Sequence, residues 1–101
     1  MSKLTGAQRK FLRSQAHHYN PVIMIGKSGL TPALIKATQE VLESHELIKV
    51  KFIDFKDTKN EITDKLCRET DSEIVGRIGN IAILFKQNDD KDKRIIRLQN
   101  K

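Results

Sequence analysis

A chain of 101 residues with 38% hydrophobic residues and no Trp has room for one compact core, but not for a deep cleft between two domains. Its charged fraction is 32%, yet the apolar residues recur in ordered patterns, which excludes a disordered chain. The formal net charge is +6, no apolar run is long enough for a membrane span or a signal peptide, and a single cysteine, Cys67, cannot form an internal disulfide, so a cytoplasmic protein is expected.

The first helix is predicted over residues 5–17. Thr5 and Gln8 fit a capping box, and Phe11, Leu12 and Ala16 are its core contacts. Lys10, Arg13 and His17 share another face at spacings of three and four, with Arg9 beside Arg13, which reads as a basic ridge. Pro21 then opens the apolar run Val22-Ile23-Met24-Ile25, stopped by Gly26. Lacking alternation, this run reads as an inner strand. Thr31 is a good N-cap and Pro32 suits the first helical position, so a second helix follows to about residue 44. Leu34, Ile35, Thr38, Val41 and Leu42 form its inner face. Lys36, Glu40 and Glu43 form its exposed one.

Residues 47–53 alternate as a strand, with Ile48, Val50 and Phe52 on one side and Lys49 and Lys51 on the other. A third helix is expected from Asp57-Thr58 to Thr70, with Ile62, Leu66 and Cys67 inward; Cys67 reads as a small core filler. Residues 73–78 and 81–85 form a hairpin around the two-residue turn Gly79-Asn80. The stretch 88–101 is polar and reads as a mobile C-terminal segment, with Ile95, Ile96 and Leu98 as a weak candidate strand. The order α-β-α-β-α-β-β predicts a single two-layer α/β domain with a four-stranded mixed sheet. Helical crossovers make its first strands parallel.

The positive charge is unevenly spread. Residues 1–36 hold Lys3, Arg9, Lys10, Arg13, Lys27 and Lys36 and no acidic residue, while residues 37–101 balance 13 basic against 13 acidic side chains. A basic end on a neutral body points to a polyanion partner, with nucleic acid ahead of a merely solvated basic face without a specific partner, and both ahead of an anionic membrane surface. The loop Gly26-Lys27-Ser28-Gly29 lies in this basic third, between a strand and a helix start. Glycines permit positive φ and close backbone approach, and consecutive amides in such a loop can hold an anion. Because Pro32 lacks an N–H and Thr31 caps the helix, the loop amides would do most of the binding, aided by the Lys27 charge. A plain turn is the ordinary reading. A nucleotide-binding P-loop fails because its first glycine would fall on Pro21. A GxxG clamp on an RNA backbone, as in KH domains, is the third reading.

Spaced blocks along the chain resemble one family. These are Leu4-Thr5 with Gln8-Arg9 and Leu12-Arg13, then Ala16-His17, Pro21-Val22 and the run from Ile25 to Thr31. Glu46-Leu47-Ile48-Lys49-Val50-Lys51, Arg68-Glu69-Thr70 and the hairpin at Ile78-Gly79 complete them. The chain is similar to the CRM domain family of chloroplast RNA-splicing factors and bacterial YhbY-like ribosome-associated proteins, and resembles its single-domain bacterial members. The resemblance implies a fold like the C-terminal domain of translation initiation factor three, association with precursors of the large ribosomal subunit, and RNA contact through the GxxG loop. On that basis Gly26, Lys27, Ser28 and Gly29 are the expected RNA-binding residues, with Arg9, Lys10, Arg13, Lys49 and Lys51 as basic helpers.

The helpers have plainer readings: a solvated helix face for Arg9, Lys10 and Arg13, and the wet face of an edge strand for Lys49 and Lys51. His17 and His45 read as helix-end residues, and Phe11 and Phe52 as core. With one Tyr, four Phe and no Trp, the chain is poor in stacking residues, which favours recognition of RNA shape and backbone. Glu69, Asp71 and Glu73 are the only candidates for a metal-dependent nuclease, and no acid–base motif surrounds them. Neither cofactor, metal nor small-molecule substrate is expected, and a monomer is. The competing class is a protein-interaction module on the ribosome.

Overall fold

The structure, a computed structural model, describes residues 4–98. Helix α1 spans Gly6–Ala16, and the predicted capping box closes it. The Thr5 hydroxyl accepts from the Gln8 amide at 3.1 Å, and the Gln8 side-chain oxygen accepts from the Thr5 amide at 2.9 Å. Strand β1 is Ile23–Ile25 and helix α2 is Pro32–His45, where the Thr31 hydroxyl accepts from Leu34 N–H at 3.1 Å. Such a cap is worth about 1 kcal/mol. Strand β2 is Leu47–Phe52. A 3-10 turn at Lys56–Thr58 leads into α3, Lys59–Thr70, and the hairpin is β3, Glu73–Ile78, with β4, Ile81–Phe85. Gly79, at φ +57°, makes the tight turn between them.

The sheet has four strands in the order β1-β2-β4-β3. As the crossover argument requires, β1 runs parallel to β2, and the hairpin strand β4 is antiparallel to both β2 and β3. The alternation in β2 separates two apolar clusters. Ile48, Val50 and Phe52 join Ile23, Ile25, Ala82, Leu84, Leu42 and Leu66 beneath α2 and α3. Leu47, Ile83, Phe85 and Val75 join Leu12 and Ala16 of α1 on the opposite face. The single α/β domain and its mixed sheet match the sequence reading, but the layering is corrected: helices lie on both faces, so two layers become three. The cause is the sheet itself. β2 and β4 are apolar on both faces, and each face needs cover.

A second correction concerns β1. It is an edge strand, not an inner one, and its residues alternate buried, exposed, buried, with Met24 53% exposed. Its unbroken apolar run buries one face only. By contrast β2, which carries Lys49 and Lys51, is interior. Buried hydroxyls in the helices are satisfied locally. Thr38, Thr63 and Thr70 donate to the carbonyls of Leu34, Lys59 and Leu66, one turn back.

Residues 86–98 do not hang loose. Glu46 is fully buried at the end of α2, and its carboxylate accepts from the amides of Asn88 at 2.6 Å, Ile95 at 2.6 Å and Ile96 at 2.9 Å. The Glu46 carbonyl also accepts from Lys86 N–H at 2.8 Å. Ile96 is thereby held in the α1-side cluster, with Leu98 packed beside it. The candidate strand at 95–98 is not formed among the described residues; these amides go to a carboxylate instead of a neighbouring strand.

Candidate functional site

Gly26 to Gly29 form a tight turn between β1 and α2, closed by Gly29 N–H to Gly26 O at 3.0 Å. Gly29 sits at φ +66°, where a side chain would be strained. A β-carbon there would also stand 3.4 Å from the Phe55 ring. Lys27 and Ser28 are exposed, and no hydrogen bond within the described residues engages their backbone amides. The segment after β2 braces the turn. Ile53 and Asp54 amides both donate to Ile25 O, at 2.9 and 3.2 Å. The loop therefore offers two uncommitted donors and one mobile cation on a fixed base, an arrangement suited to an anion.

The helpers separate into three kinds. Lys10 is exposed on α1. Arg9 is half-buried, and Arg13 is partly committed: its guanidinium donates to Val75 O at 3.2 Å, and its stem lies over Gly76. Lys49 is corrected as a surface cation. It is only 8% exposed, and its ammonium donates to His17 O at 3.3 Å and Tyr19 O at 3.0 Å, closing the C-terminal end of α1. Lys51, two residues on, is exposed.

Register places Lys51 in a row that sequence reasoning did not identify. Its partners are Met24 on β1 and Ile81 on β4, and Ile81 pairs with Ile78 on β3. Paired residues share a face, and Lys51 shares it with Leu47, which lies under α1. This row lies beyond the α1 cover, at the sheet end that carries the Gly26–Gly29 turn. Met24, Ile53 and Ile78 are each more than half exposed there. On α1, Leu4 and Phe11 pack against the cluster that holds Ile96, as Leu98 does. Helical spacing puts Lys10, Arg13 and His17 on the other flank of α1, and the Arg13 stem lies over Gly76 of β3. An apolar run such as residues 22–25 carries no signal that one of its faces stays open.

The depression between α3 and the hairpin turn, lined by Lys59, Thr63, Arg77 and Asn80, has room for about one water. No group of His, Cys, Asp and Glu among the described residues is arranged to hold a metal, so Glu69, Asp71 and Glu73 do not gather into a centre. No described helix is long and apolar enough to cross a membrane. Burial pushes the Cys67 thiol up, against an opposing hydrogen bond from Ser72, which is the state of an unreactive filler.

A small α/β domain with helices on both faces of a mixed sheet, and a braced basic glycine turn at one sheet end, is the class that this geometry defines. Residues 4–86 match the model of the CRS1/YhbY (CRM) domain, and the chain belongs to that family. It is 41% identical over 86 residues to "Probable RNA-binding protein YqeI" of Bacillus subtilis, covering 84% of this chain and 90% of that protein. It is 38% identical over 91 residues to "RNA-binding protein" of Haemophilus influenzae, covering 89% and 92%. The solution structure of SAV1595 from Staphylococcus aureus superposes with a TM-score of 0.77 at 38% identity, covering 95% of this chain and 99% of that one.

Proposed function

We propose that this chain binds RNA without catalysing a reaction on it, and that it assists assembly of the large ribosomal subunit in the cytoplasm as a monomer. The observation that carries the RNA reading is the uncommitted pair of amides at Lys27 and Ser28, set beside exposed cations in a family whose relatives bear RNA-binding names. The loop amides and the Lys27 ammonium take one or two phosphates. Lys51 and Lys10, with Arg13 and Arg9 in support, extend the contact along the open sheet row. Lys49 is spent on α1 and is left out. The ribosomal assignment rests on the family resemblance.

The test is the double substitution Lys27→Asp with Ser28→Asp, assayed on precursor large-subunit particles and on naked ribosomal RNA at two salt concentrations. Both side chains are exposed at a turn, so thermal melting should be unchanged. With roughly four contacts, log K for the wild type should fall with log salt at about −0.9 per contact on duplex and about −0.7 on single strands. Loss of binding by a folded variant supports the clamp; equal binding refutes it. The exposed apolar residues Met24, Ile53 and Ile78 favour one competing reading, a contact with a ribosomal protein. That reading requires binding to particles but not to naked RNA, with little dependence on salt.

A further inference from the structure

Counting aromatic residues argues against base stacking, but their placement argues otherwise. Phe52 and Phe85 are buried, and Phe11 packs against the α1-side cluster. Phe55 is 39% exposed, and its ring lies against Gly29 of the glycine turn. It is not a side chain left over in a slack loop. Its backbone is left-handed at φ 57°, a costly conformation for a bulky residue, and the surroundings enforce it. The Asp54 carboxylate accepts the Phe55 amide at 2.7 Å, and Thr58 N–H donates to the Phe55 carbonyl at 3.1 Å. The amides of Ile53 and Asp54 tie the same segment to the end of β1. Strain is thus spent on holding an aromatic ring partly in solvent, next to the two free amides.

We propose that Phe55 is a stacking platform for one unpaired nucleobase, whose own or adjacent phosphate is held by the Gly26–Gly29 turn. This deepens the RNA reading and rests on it. A nucleotide joins a flat apolar base to an anion across one sugar, and the structure sets a flat apolar ring beside an anion-suited turn in the same way. A single apolar protein side chain would satisfy the ring but leave the amides unpaired. The consequence is a preference for single-stranded segments, loops or bulges, because a base within a helix has both faces covered by its neighbours.

The probe is an RNA oligonucleotide with 2-aminopurine scanned through its positions, as a single strand and as a duplex; stacking quenches this base. The wild type should quench at one or two positions of the single strand. Phe55→Leu, which keeps an apolar packing group, should lose the quench and bind the single strand about 5- to 150-fold more weakly. Its duplex binding and salt slope should stay unchanged. Phe55→Tyr should retain quench and affinity. If Phe55→Leu matches the wild type in both respects, the ring is a loop plug and the proposal falls, while the phosphate clamp stands if the Lys27→Asp, Ser28→Asp variant loses binding. If the wild type binds no RNA, both readings fall together. Should Phe55→Leu melt early, the wild-type scan still decides: quenching at no position overturns the platform.

Discussion

Removing the Glu46 side chain should release the C-terminal segment and cost a large share of the stability of the domain. Its carboxylate serves three backbone amides, Ile95 and Ile96 at one oxygen and Asn88 at the other. Hydrogen bonds to a charged acceptor contribute about 1.5–3 kcal/mol each. Two of the three freed amides, those of Asn88 and Ile95, regain water when the segment lifts, which lowers the loss, but Ile96 then forfeits part of its burial. About 3 kcal/mol is the net expectation for Glu46→Ala, against a total of about 5–15 kcal/mol for a domain. At roughly 4–8 °C per kcal/mol, Tm falls by about 12–24 °C. Glu46→Gln keeps one acceptor for Ile95 and Ile96 but turns an NH2 toward Asn88 N–H, so it should fall between wild type and Ala. Because Glu46 has φ 62°, Glu46→Gly recovers about 1 kcal/mol relative to Ala. The expected order is wild type, Gln, Gly, Ala. Thermal and urea melts by circular dichroism suit a chain without Trp, with amide hydrogen exchange read at residues 88, 95 and 96. A Glu46→Ala loss below about 1 kcal/mol, or unchanged exchange at Ile95 and Ile96, refutes the reasoning.

Lys49→Met should lower stability by about 1–3 kcal/mol by stripping the donors from His17 O and Tyr19 O, and Lys51→Ala should leave the melt unchanged while weakening RNA binding and flattening its salt slope by about one contact. The opposite assignment of the two effects would reject the division between them. Gly29→Ala should cost about 1–2 kcal/mol from the left-handed φ alone, read as a lower urea midpoint, with more if the Phe55 ring cannot move. Cys67 should alkylate far more slowly at pH 8 in the folded protein than in urea. Its folded thiol titrates above the ordinary 9.0, so the unfolded chain ionises first, and stability that is full below pH 9 declines as pH rises beyond it. Equal alkylation rates would show a thiol that burial does not shield.

What the chain declares openly is local. Thr5 with Gln8, Thr31 with Pro32, and Gly79-Asn80 each settle an element end through partners a few residues away, and each is found where the pattern puts it. The family blocks lead equally directly to the glycine turn. What stays hidden depends on distant pairing. Lys49 and Lys51 look alike in an alternating strand, and only the position of the end of α1, some thirty residues earlier, spends one and spares the other. Glu46 reads as one more acidic residue until amides more than forty positions later fold over it. Phe55 is one aromatic among five until its left-handed backbone and the bare Gly29 beside it are seen together. Val22 to Ile25 conceals its edge position because apolar content cannot tell how many neighbours a strand will have.

The buried Lys49 ammonium has one more effect. By holding the carbonyls of His17 and Tyr19, just past α1, to β2, which itself pairs with β1, it ties the end of the basic helix to the sheet that carries the glycine turn. Under the proposed function, a strand that engages both would meet contacts at a spacing set by the sheet, and one that must bend to fit would bear the entropic and elastic cost of doing so.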